Sequence, residues 1–183
     1  MRSFACVFVL LLVIGSGCHS GGKVSRPPVK SKLADAATHN LMSVVSNYYQ
    51  LKNALVASNA PNTAKAAGAL VTASDSFSTM LKDDQANKTL LQPYLDTIVA
   101  QSKLVITIQD ATCERQRLAF SPLSEAMYTL LKNADLKNAG VYHEFCPMAF
   151  NDKGAYWLSD ESEIKNPYFG KKMLECGEVK DSL

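Results

Sequence analysis

The sequence predicts a mainly α-helical protein: an antiparallel four-helix bundle followed by an irregular, sulfur-rich C-terminal segment. Three observations carry this. Apolar residues recur at steps of three and four through most of Asp35 to Lys137, the links between periodic stretches are short, and the periodicity stops after Ala139-Gly140. Four amphipathic segments of about 18 to 25 residues with short connections pack most simply as an antiparallel bundle.

The first helix is carried by Leu41, Val44, Val45, Tyr48, Leu51 and Leu55, which share one face. Asn59-Ala60-Pro61 interrupts it, because proline disfavours helix at the residue before it and suits a first turn. A second apolar set follows at Ala67, Leu70, Val71, Ser74, Phe77 and Leu81, and Lys82 to Lys88 reads as a polar connection. A third helix is expected to begin around Pro93, with Tyr94, Leu95, Ile98, Gln101 and Val105 in register. Leu104 to Ile108 could pass for a strand by propensity. It is assigned to the helix because no partner strand is visible nearby. The fourth stretch runs from about Ala111 to Ala134. Ser121-Pro122 inside it predicts a kink, or a fresh start capped by Ser121 with Glu125 in the first turn.

Residues 34–138 thus form the bundle, and residues 139–183 form a tail packed on it. The tail holds the only Trp, and Tyr156, Trp157, Tyr168 and Phe169 supply large apolar surfaces that can pin it down. Ser159-Asp160-Glu161 is expected to begin a turn of helix, which Asn166-Pro167 must end.

The N-terminus carries an address. Met1-Arg2, an apolar run from Phe4 to Ile14, and the small residues Gly15, Ser16 and Gly17 describe a signal peptide over residues 1–17. The run is shorter than the roughly 20 residues that a membrane-spanning helix needs. Cys18, after Ser-Gly and four residues beyond Ile14, resembles the acylated cysteine of a bacterial lipobox, although Gly15 stands where an aliphatic residue is usual. The alternative is a plain secreted protein. Residues 18–33, rich in Ser, Gly, Pro and Lys, read as a flexible tether. The expectation is a protein of the cell envelope, on the periplasmic side or outer membrane, held to the membrane by its lipid. Formal net charge is +2, and Lys and Arg are not clustered. That balance argues against nucleic acid as a partner.

Chemistry concentrates in two tail clusters, His143-x-x-Cys146-x-Met148 and Met173-x-x-Cys176. Thiolate and thioether are soft ligands that favour Cu(I), and imidazole suits copper and zinc alike. A thioether has no proton to lose, so a Met-containing site depends less on pH. Zinc fits less well, because the chain has neither a C-x-x-C knuckle nor a His pair. The other reading of Cys146 and Cys176 is a disulfide, natural for an exported chain and able to stabilise by about 3 to 4 kcal/mol. The two readings are compatible, since a reducible pair could take metal only when reduced.

Other residues point to no site. Cys113 is expected to be a buried small apolar residue on a helix face. His39 and Met42 are spaced i, i+3, as a solvated His beside a core Met would be, and His19 falls in the tether. The chain has no glycine-rich phosphate loop, nucleophile elbow or H-E-x-x-H. A Cys–His hydrolase built on Cys146 and His143 would lack an orienting group. No enzymatic activity is expected.

Four tail stretches carry a family resemblance: Phe145-Cys146-Pro147-Met148-Ala149, Gly154-Ala155-Tyr156-Trp157-Leu158-Ser159, Ile164-Lys165-Asn166-Pro167-Tyr168-Phe169-Gly170, and Met173-Leu174-Glu175-Cys176-Gly177. They resemble domain-of-unknown-function family 3347, found in envelope lipoproteins and appended to periplasmic adaptors of heavy-metal efflux pumps. Arg117, Phe120 and Leu123-Ser124 resemble that family's final helix, and Tyr48 to Leu55 its first. The resemblance implies handling of copper or a related metal, with Cys146, Met148, Met173 and Cys176 at the sulfur motif and His143 just before it. It also implies efflux components as partners. No adaptor hairpin or barrel regions are read in this sequence, so it is not expected to be an adaptor itself.

Overall fold

The structure, a computed structural model, describes residues 27–183. The expected signal peptide, the candidate lipidated Cys18 and most of the tether lie outside the described residues.

Four long helices form the body: α1 Asp35–Val56, α2 Ala60–Met80, α3 Gln85–Thr107 and α4 Glu114–Asn133. Consecutive helices pack side by side through short links, which gives the antiparallel bundle that the periodicity predicts. Leu41, Val44, Val45, Tyr48, Leu51 and Leu55 all lie shut off from solvent, as do Leu70, Phe77, Leu95 and Ile98. The α1–α2 break falls where expected, with the Asn59 side chain accepting from the Asn62 N–H and Pro61 in the first turn.

Two boundaries differ from expectation. Helix α3 begins at Gln85, well before Pro93, because Asp84 caps it by accepting the Asn87 N–H at 3.2 Å. Most of the polar stretch Lys82–Lys88 is therefore helical. Helix α4 runs unbroken through Pro122, with no fresh start at Ser121. Each interior proline frees a carbonyl four residues earlier, that of Thr89 or Leu118. Both residues are exposed, so water can satisfy the freed groups. Of the stretch Leu104 to Ile108 assigned to the helix, Leu104 to Thr107 is helical and Ile108 is its extended C-cap.

The tail lacks helical periodicity, yet it is ordered by a small antiparallel sheet. Strands β1 Tyr142–Cys146, β2 Ala155–Ser159 and β3 Glu178–Ser182 lie in the order β2-β1-β3. Glu144 pairs with Trp157, and Cys146 with Ala155. Ser159 ends β2 rather than starting a helix, and its hydroxyl accepts the Glu161 N–H at 3.2 Å in a bend.

Tyr48 of α1 joins bundle to sheet. Its hydroxyl lies 2.8 Å from Ser124 Oγ of α4 and accepts the Leu158 N–H of β2 at 3.0 Å. Its ring stacks on Phe120, which meets Tyr168, which in turn meets the buried Trp157 edge-on. At the other end, residues 27–33 run along the exit of α4. Lys30 and Lys137 exchange backbone bonds of 3.0 and 2.8 Å, and Leu33 is buried. Among the described residues, no helix is long and apolar enough to cross a membrane.

Candidate functional site

The Asn166-Pro167-Tyr168-Phe169-Gly170 turn folds the tail back on itself. Asn166 organises it through five bonds, one of them accepted by its carbonyl oxygen from the Gly170 N–H at 3.0 Å. Its side-chain oxygen accepts the N–H groups of Tyr168 (2.7 Å) and Phe169 (3.2 Å). Its amide nitrogen donates to the Cys176 carbonyl at 2.6 Å, and its backbone N–H to the Leu174 carbonyl at 2.8 Å. This brings Cys176 beside Cys146 at the end of β1, with their Cα atoms 5.7 Å apart, and the two form a disulfide. Cys146 has no solvent exposure, whereas Cys176 is half-buried.

Met148 and Met173 line a single cleft of about 700 Å³, together with Phe150, Tyr168 and Phe169, and with Glu114, Arg115 and Lys172 at its charged edge. Met148 is 48% exposed. Met173 also lines a second, shallower depression with Leu174, Glu175 and Cys176. The cleft wall includes an unusual turn in which Phe150, Asn151 and Asp152 have φ of 54°, 58° and 62°. Left-handed backbone at a non-glycine residue costs about 1 to 2 kcal/mol, so surrounding structure must hold this turn. Gly154, at φ 77°, follows it because the Phe145 ring occupies the space a Cβ would need.

The structure brings four sulfur-bearing residues to one end of the sheet but not His143. Side chains alternate along a strand, so His143 and Cys146 face opposite sides of β1. The His143 ring lies between Tyr128 and Tyr156, with centroids 3.7 and 4.6 Å away. Its Nε2 is buried without a partner. Burial pushes its pKa down to about 4, with nearby Asp181 opposing and Lys132 assisting. His143 is thus a neutral, stacked ring held apart from the sulfurs. Among the described residues, no group of three or more His, Cys, Asp or Glu side chains could hold a metal. A soft-metal centre here would draw on the two thioethers and the reduced cysteine pair.

Three further features were not read from the sequence. Arg117, 5% exposed, has no carboxylate partner among the described residues and is held by carbonyls instead. Its Nε donates to the Pro167 carbonyl at 2.7 Å, Nη1 to that of Thr112 at 2.7 Å, and Nη2 to that of Leu55 and to Ser58 Oγ, both at 2.9 Å. Burial lowers its pKa. Second, Lys52 is buried behind β2, donating to Ser159 Oγ at 3.2 Å and lying 3.6 Å from Asp160. Burial lowers its pKa as well, with Asp160 and Glu144 opposing. Lys52 follows Tyr48 by four residues and precedes Leu55 by three, so its place on the core face was visible in the spacing. Third, Glu144 is fully buried with both carboxylate oxygens unpartnered, and the Trp157 indole N–H beside it stops short of hydrogen-bond geometry. Desolvation raises the Glu144 pKa to about 7 against the pull of Lys52.

Cys113 is buried, but at the cap of α4 with φ 63° rather than on the helix face. His39 is exposed and Met42 half-buried, and both border a shallow depression with Asp35.

Fold and tail together define a four-helix bundle carrying a disulfide-closed, three-stranded appendage, with Met148 and Met173 among the residues of one cleft. Residues 44–139 match the family DUF3347, described as a protein of unknown function, and the match spans more than half of the chain. The chain belongs to that family. The match covers the helices and ends just before β1. No curated protein and no solved structure matches the chain.

Proposed function

We propose that the protein is an exported, lipid-anchored envelope protein that binds a soft metal ion, Cu(I), through its tail sulfurs, in metal homeostasis or efflux. One observation carries this reading. Cys146 and Cys176, 30 residues apart, meet at one end of the sheet, Met148 and Met173 border one cleft, and Met173 also borders the depression at Cys176. Two thiolates and two thioethers are a donor set suited to Cu(I). Zinc is disfavoured because, among the described residues, no further His, Cys, Asp or Glu joins the cysteine pair in a ligand group, and His143 faces the other way. The leader and Cys18 support export and anchoring. The test is competition for Cu(I) against a chromogenic chelator, with the protein reduced. Cys146→Ser and Met173→Leu should each weaken binding, and unchanged affinity in both variants would sink the proposal. Cys18→Ser should release the protein from the membrane fraction.

A second reading is favoured by the bond itself. The Cys146–Cys176 disulfide closes the tail, and Cys146 is shut off from solvent. In this version the pair is a structural staple contributing about 3 to 4 kcal/mol by restricting the unfolded chain. A pair that resists mild reductant in the folded protein supports the staple.

A further inference from the structure

We infer that metal binding at the tail is gated by the redox state of the Cys146–Cys176 pair, with Cys176 as the sulfur attacked by a dithiol reductant. This rests on the soft-metal reading above. The argument begins with access. Cys146 ends β1, pairs with Ala155 of the neighbouring strand, and presents no surface to solvent. Cys176 is half-buried and borders an open depression with Met173, Leu174 and Glu175. Exchange requires a thiolate to approach along the S–S axis, and of the pair it is Cys176 that borders open space.

The chemistry then balances in two steps. A reductant thiolate attacks Cys176 Sγ, the S–S bond breaks, and Cys146 leaves as a thiolate. The second thiol of the reductant attacks the mixed disulfide and expels Cys176 as a thiolate, and the reductant departs as its own disulfide. Two electrons reach the pair, and the two protons lost by the reductant are available to the two new sulfur anions.

The consequence for binding follows from the donors. With the bond closed, two of the four sulfurs are tied up, and Met148 and Met173 alone offer neutral thioethers. With it open, two anionic thiolates are added at the same end of the sheet. Met173 borders both the cleft that holds Met148 and the depression at Cys176. Among the described residues it is the one thioether that borders both. The protein would then take up metal under reducing conditions and lose it on oxidation.

The experiment titrates Cu(I) against a chelator, without oxygen, using the mature chain in its oxidised form and after dithiol reduction and removal of the reductant. Affinity should be about 100-fold weaker or worse in the oxidised form, since its strongest donors are gone. Equal affinity in the two forms would overturn the gating and leave the soft-metal reading intact. Binding by neither form would overturn both. A monothiol added in limited amount then reports the order of attack. Mass spectrometry should find the mixed disulfide on Cys176, and a mixed disulfide on Cys146 would overturn the assignment of the attacked sulfur.

Discussion

The Arg117 side chain of α4 donates from Nε to the Pro167 carbonyl oxygen at 2.7 Å, and this bond ties the tail turn to the bundle. The same guanidinium holds the Leu55 carbonyl near the end of α1 and the Thr112 carbonyl before α4. Three segments distant in sequence thus share one cation. Its charge is dispersed into backbone dipoles instead of being paired with a carboxylate.

Arg117→Lys should therefore be far from conservative. A lysine has no planar fork to reach carbonyls in three directions, and the loss leaves buried acceptors unsatisfied. Urea unfolding should show a loss of about 3 kcal/mol, with the disulfide still formed. A loss below about 1 kcal/mol would mean that the clamp is decorative.

Gly170 lies against this clamp with φ 55°. A Cβ there would sit 2.7 Å from Ser58 Oγ, 3.0 Å from the Val56 carbonyl oxygen and 3.1 Å from Arg117 Nη2. Gly170→Ala should cost about 2 kcal/mol or more, from backbone strain and displacement of the guanidinium together. Combined with Arg117→Lys, the two losses should be less than additive, because both break the same contact. Strict additivity in thermal or urea unfolding would argue against a shared contact.

His143 makes the fold sensitive to acid. Its pKa falls from the ordinary 6.5 to about 4 on burial between two tyrosines, so the folded state binds fewer protons than the unfolded state within that window. Its contribution is fully present above pH 6.5 and is lost as pH falls toward 4, by up to about 3 kcal/mol. His143→Phe keeps a ring in the stack and should flatten this part of the stability profile. An unchanged slope between pH 6.5 and 4 would locate the acid sensitivity elsewhere.

Glu144 acts in the opposite direction. Its pKa rises from 4.5 to about 7, so the folded state binds more protons across that interval. The stability it confers is fully present below pH 4.5 and is lost as pH rises through 7. Glu144→Gln should raise stability at pH 8 by about 2 to 3 kcal/mol relative to its effect at pH 4.5, as read from urea midpoints. An effect independent of pH would mean that Lys52 keeps the carboxylate ionised in the fold.

The helices and their buried faces were legible in the chain itself. Leu41 through Leu55 declare a helix because its hydrogen bonds and its 3.6-residue period are local, and the sulfur clusters at 143–148 and 173–176 are visible as bare spacing. The sheet was not legible. Its strands are five residues each, β3 is largely exposed and polar, and its partner β1 lies more than 30 residues earlier. Strand pairing carries no local period to announce such a partner. The side on which His143 would stand was equally hidden, since it depends on the register of a strand not yet recognised. Only the folded chain decided that Cys146 meets Cys176 and that Arg117 grips Pro167, because each relationship joins backbone far apart in sequence.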